Sequence, residues 1–185
     1  MKYISLKRIG MNKKKVILYI VDFVLAVLLI AADQVSKYFA VLYLKNQPSY
    51  PVVDGVFELH YLENRGAAFG MLEGQRFFFI FIAAVILGII LYVLWRAPYQ
   101  KMYIKLHITL VFIASGAIGN LIDRVRYDYV VDFLYFSLIN FPVFNVADIY
   151  VTLAAISLAV LLIFVYKESD LEFLTFRSKK FRDLK

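Results

Sequence analysis

The chain contains no cysteine, so neither disulfides nor thiol chemistry can contribute, and the usual cysteine clues to redox compartment are silent. Histidine is scarce as well. His60 and His107 are the only two, and neither stands with the carboxylates in a metal-ligand pattern. A glycine-rich phosphate loop is missing too, so no metal and no cofactor are expected. Acidic residues are absent from the first 15 positions and from the stretch Arg96 to Lys105. No nucleic-acid-binding module accompanies the net charge of +7, so a nucleic-acid partner is not expected either.

What is present is apolar. The 185 residues are 62% hydrophobic with a mean hydropathy of +0.72, against roughly 45–50% apolar in soluble chains, which implies a membrane protein of one domain. Spanning a bilayer takes about 20 mostly apolar residues. Four segments approach that: Val16 to Ala32, Phe77 to Trp95, Leu106 to Ile122 and Ile149 to Tyr166. The expected fold class is an all-α polytopic membrane protein with four transmembrane helices. The first segment follows "NKKK" and resembles a signal peptide, but its 17 apolar residues exceed a typical h-region, so it reads as an uncleaved span. Met11 offers a second candidate start after the ten-residue stretch "MKYISLKRIG".

Basic residues orient the chain. The N-terminal region, the 96–105 link and the tail from Lys167 hold 15 of the 21 lysines and arginines, which places all three in the cytoplasm. Residues 1–15 then form a cytoplasmic N-terminus, 16–166 the four-helix domain and 167–185 a cytoplasmic tail. The tail mixes charge with Leu171, Phe173, Leu174 and Phe176 and reads as an amphipathic helix on the inner leaflet. Outer loops are expected over 37–76 and 123–147. Within the first, "VFELHYL" (56–62) alternates after a "DG" turn signal and predicts a strand, with His60 solvated upon it.

Every unusual polar cluster falls at the outer end: "DQVSK" (33–37) closing helix 1, "ENRGAAFG" (63–70), "GNLIDR" (119–124) closing helix 3, "VVDF" (130–133), and "FNVAD" (144–148) opening helix 4. Asp33 and Lys37 are an i, i+4 acid-then-base pair, which suits a structural ion pair. Asn120, Asp123 and Arg124 share a helix face, and Asn145 and Asp148 repeat the i, i+3 relation. An aspartate at a helix start is ordinarily a cap or a dipole partner. Two carboxylates a few ångströms apart instead tend to share one proton and can act as base and acid together. Asp22 lies apart and reads as a polar contact between helices, while His107 stands alone near the inner end of helix 3. A transporter would need polar groups through the whole depth, and the second span offers none. A purely structural subunit would need only surface contacts.

These five motifs, in this order and on this topology, resemble the lipoprotein signal peptidase (signal peptidase II) family over residues 15 to 166. The resemblance implies a bacterial cytoplasmic-membrane aspartyl peptidase with four transmembrane helices and a small extracytoplasmic β-sheet. Such an enzyme, a monomer among membrane lipids, removes signal peptides from prolipoproteins by cutting before a diacylglyceryl-modified cysteine. It implies Asp132 and Asp148 as the catalytic pair; position alone leaves Asp123 open as a rival, although Arg124 and Asn120 beside it suit a positioning role. By the same resemblance Asn64, Asn120, Arg124, Asn145 and Ala147 line or position the site. Gly66 and Gly70 suit a tight loop near the ligand, and Phe69 covers the site or anchors at the interface.

Overall fold

The structure, a computed structural model, describes residues 13–66 and 72–175. Its four long helices are α1 (Lys13–Leu44), α2 (Arg76–Arg96), α3 (Ile104–Tyr127) and α4 (Val146–Val160), the last continued by a π-helical turn over Leu161–Val165. All four apolar runs are long enough to cross a membrane. Three short strands, β1 (Tyr50–Val53), β2 (Phe57–Asn64) and β3 (Val130–Tyr135), form one antiparallel sheet in the order β1-β2-β3. β1 and β2 join through Asp54 and Gly55, whose φ of +66° is a left-handed conformation that glycine takes without strain. As the alternation predicts, Leu59 and Tyr61 of β2 pack on the core, and His60 is hydrogen-bonded to Ser49.

The sheet sits at the end of the bundle where α1 and α3 finish and α4 begins. Of the two polar motifs expected to close helices, "GNLIDR" does stand in the last turns of α3, whereas "DQVSK" lies inside α1. α1 runs about two turns past Lys37 to Leu44, and α3 continues past Arg124 to Tyr127, where Asp128 turns left-handed at φ +66°. The charges of Asp33, Lys37 and Asp123 are paired with one another, within α1 and across to α3, so they do not interrupt the backbone. The stretch "VVDFLY", read as loop, is a strand: Val130, Val131 and Phe133 are all buried, so it lacks the alternation of a half-exposed strand.

α3 is the central helix. It packs against α1, α2 and α4, and half of its apolar window is buried, whereas α2 is apolar all round with Ile90 its single buried residue. Close approach explains the small residues of α3. A Cβ on Gly116 would lie 2.5 Å from the Ala147 carbonyl oxygen and 2.7 Å from Val151 Cγ2, and one on Gly119 would overlap the Asp33 carboxylate. An apolar cluster of Ile90, Tyr103, Leu106, Leu110, Leu161 and Tyr166 fills the far end, and Ala40, Val131 and Phe133 form another beneath the sheet.

His107 is not alone. Its Nδ1 meets Asp22 Oδ2 at 2.7 Å, a buried pair that ties α1 to α3. Asp22 is thus the polar contact between helices expected of it, while its partner stayed hidden because 85 residues separate the two. The described part of the tail forms a 3-10 turn over Glu168–Leu174 that folds back on the helix ends instead of standing apart as an amphipathic helix. Tyr103 donates to the Asp170 carbonyl and Arg96 to that of Phe173, while Leu171 and Phe173 pack against the apolar cluster. The first twelve residues and the last ten, Phe176 among them, lie outside the described residues.

Candidate active site

β3 carries Asp132 and the first turn of α4 carries Asp148, and Asn145 joins them. Asn145 is the extended N-cap of α4. Its Oδ1 accepts from the Asp148 amide at 3.0 Å, and Asp148 Oδ2 accepts from the Asn145 amide at 3.1 Å, a reciprocal capping box. That leaves the Asn145 Nδ2 group free to donate to Asp132 Oδ1 at 2.6 Å and to Asn120 Oδ1 at 3.1 Å. Asn120 Nδ2 in turn donates to Asp148 Oδ1 at 2.8 Å. One asparagine therefore touches both carboxylates, and a second closes the circuit.

The outer wall comes from the end of β2. Asn64 Nδ2 donates to Asp132 Oδ2 at 2.8 Å, and its Oδ1 accepts from the Gly66 amide at 3.0 Å. Arg124 donates to the Gly66 carbonyl at 3.2 Å while its guanidinium stacks 4.7 Å over Phe79. Arg124 thus anchors the loop leaving β2 to helices α2 and α3. Phe69 and Gly70, expected near the ligand, lie outside the described residues.

A second layer stands behind the first. Lys37 Nζ lies 3.0 Å from Asp33 Oδ2, 2.9 Å from Asp123 Oδ2 and 2.8 Å from Asn120 Oδ1. Asp33 Oδ1 accepts from the Ala147 amide at 3.0 Å, and Asp123 Oδ2 accepts from the Val131 amide at 3.1 Å. Gln34, which the sequence did not single out, donates to Asp33, to Asp123 and to the Gly119 carbonyl. The pair read as a local i, i+4 contact is thus the hub of a buried cluster spanning α1 and α3. Asp123 belongs to that cluster, paired with Lys37, and does not line the cleft. Ala147 contributes its backbone amide and is fully buried.

Asp132 and Asp148 face a cleft of about 440 Å³ together with Asn64, Gly66, Asn120 and Arg124. Its remaining walls are mainly apolar: Val130 of β3, Phe141 to Phe144 of the following loop, and Ile149 and Leu153 of α4. Sequence reasoning missed this wall, because one apolar residue among many gives no local signal. Burial pushes the Asp132 carboxyl up to about 7, with the nearby Asp148 adding to the rise; the donors Asn64 and Asn145 and the charge of Lys37 oppose it. Asp132 is therefore poised to hold or release a proton near neutrality, beside a second carboxylate bridged to it by Asn145.

Residues 25–164 match the family model described as "Signal peptidase (SPase) II". The chain belongs to the signal peptidase II family. The match runs from within α1 to the end of α4 and takes in every polar group of the cleft. A lipoprotein signal peptidase of Caldanaerobacter subterraneus subsp. tengcongensis is 47% identical over 142 residues, 76% of this chain and 94% of its own length. One of Streptococcus pyogenes serotype M1 is 40% identical over 144 residues, 78% of this chain and 91% of its own. Among solved structures, one described as "Bacterial membrane enzyme structure by the in meso method at 2.3 A resolution" superposes with a TM-score of 0.69 at 28% identity, covering 85% of this chain and 93% of that one. As a signal peptidase II, the chain is a protease of a bacterial membrane, and the paired carboxylates lie in its cleft.

Proposed function

We propose that this signal peptidase II is an aspartic endopeptidase of the bacterial cytoplasmic membrane. It removes signal peptides from prolipoproteins, cutting just before the diacylglyceryl-modified cysteine. The observation that carries the reading is that Asp132 and Asp148 line one largely apolar cleft and share Asn145 as a hydrogen-bond donor.

Asp148, in the first turn of α4 and receiving hydrogen bonds from the Asn120 side chain and the Asn145 amide, acts as the base. It takes a proton from water, whose oxygen attacks the scissile carbonyl carbon. Asp132, held near 7, carries the proton that polarises the carbonyl oxygen and then serves the leaving nitrogen. The bases Lys13, Lys14, Lys15, Arg96, Lys101 and Lys105 gather at the bundle end remote from the sheet, which supports cytoplasmic termini and an active site at the outer face. There, acyl chains of the substrate remain in the outer leaflet while the bond to be cut meets the helix ends. The enzyme works as a monomer among membrane lipids, without metal or cofactor.

The test is cleavage of a diacylglyceryl-modified prolipoprotein by the purified protein in detergent. Wild type cuts before the modified cysteine, and Asp132→Asn and Asp148→Asn lose about 10³-fold or more in turnover while remaining folded. Near wild-type turnover by Asp132→Asn overturns the dyad; equal cutting of the unlipidated precursor overturns the lipid requirement.

A further inference from the structure

Each proposed catalytic aspartate is preceded by a residue whose backbone amide is held by a buried carboxylate. Ala147, immediately before Asp148, donates to Asp33 of α1; Val131, immediately before Asp132, donates to Asp123 of α3. The carboxylates that hold them converge on one ammonium group, at 3.0 and 2.9 Å from Lys37 Nζ. We propose that Lys37 is a positioning residue that fixes the spacing of Asp132 and Asp148 by clamping together the two carboxylates that hold the backbone ahead of each.

Three features support this role. An ammonium has three N–H donors, and Lys37 spends them on Asp33, Asp123 and Asn120, which leaves none to deliver to a substrate. Its third contact reaches the same aspartates by another route, since Asn120 donates to Asp148 and accepts from Asn145, the bridge to Asp132. The three charged members are buried, with Asp33 0%, Asp123 1% and Lys37 3% exposed, so their charges are compensated by one another more than by solvent. Without it, two buried carboxylates repel across the gap they now share.

Lys37 contacts Asp33 on its own helix and Asp123 on α3, its charge reaches Asp132 on β3 and Asp148 on α4, and Arg124 follows Asp123 on α3. Of these, Asp33 and Asp123 are held directly, and Arg124 is committed to the Gly66 carbonyl. The positive charge of Lys37 also works against burial at Asp132. Its removal therefore lets that carboxyl rise further, and the limb of the pH–rate profile that Asp132 governs moves to higher pH.

The inference rests on the dyad reading, and its test separates the two. Turnover, KM and the pH–rate profile are measured for wild type, Lys37→Met and Asp132→Asn on the lipid-modified substrate, each normalised to the folded fraction. Lys37→Met is expected to lose about 100-fold in kcat with KM little changed, as a small misplacement of reacting groups does, and to shift the Asp132 limb to higher pH. A wild-type kcat and an unmoved limb, or a loss wholly explained by a lower folded fraction, overturns it. An active Asp132→Asn overturns the dyad instead. Lys37→Gln, which keeps a donor toward Asn120, serves as the second variant if Lys37→Met does not fold, with the same outcomes deciding.

Discussion

Asn145 caps the helix that bears one carboxylate and donates to the other, so a single side chain couples helix stability to site geometry. Asn145→Ala removes the cap and leaves a buried acceptor on Asp132 unpaired; unfolding in detergent should show a loss of about 1–3 kcal/mol, with cleavage falling alongside. At Asp132 stability and the proposed function pull apart. Its folded pKa of about 7 lies above the ordinary value of 3.8, so the stability linked to its neutral form is complete below about pH 4 and is lost as pH rises through about 7. Asp132→Asn has no such charge to bury. It should unfold at a higher temperature than wild type at pH 8.5, by the equivalent of a few kcal/mol, and the advantage should shrink as pH falls toward 4. An advantage that stays constant with pH would show that the carboxyl is not perturbed.

Among the elements, α3 bears the strictest demands because α1, α2 and α4 all lean on it. Gly119→Ala drives a methyl group into the Asp33 carboxylate and so pushes α1 from α3 beneath the Lys37 cluster; a loss of about 1–3 kcal/mol and of most cleavage is expected. Gly88→Ala, where a Cβ on α2 would meet nothing within 4 Å, should leave turnover near wild type and raise stability by up to about 1 kcal/mol. The four helices and β2 were legible because long apolar runs and strict alternation are local patterns. β3 was not, since burial on both faces erases alternation. The end of α1 was misplaced where charged residues were read as a boundary: Asp33 and Lys37 signal an end only if water must solvate them, and here they are paired with each other and with Asp123. The same limit hid the pairing of Asp22 with His107 and the part played by Gln34, whose partners lie on α3. The polar residues of the site could be named from motifs, whereas the apolar wall of Phe141, Ile149 and Leu153 required the fold.

For the whole molecule, the lack of cysteine makes topology directly measurable, since any introduced thiol is unique. Asp54→Cys, in the β1–β2 turn, should react with a membrane-impermeant maleimide on intact spheroplasts, and Lys101→Cys, in the α2–α3 link, only after lysis. The reverse pattern would invert the proposed orientation. The grip of Asp33 on the Ala147 amide also has a meaning in time. α4 is the last of the four spans in chain order, and its first turn brings Asp148. During biosynthesis the first three spans can enter the membrane and meet while the second carboxylate is still to come. On the proposed dyad a partly made chain is no protease, and the capacity to cut arrives only when the final span docks against the first.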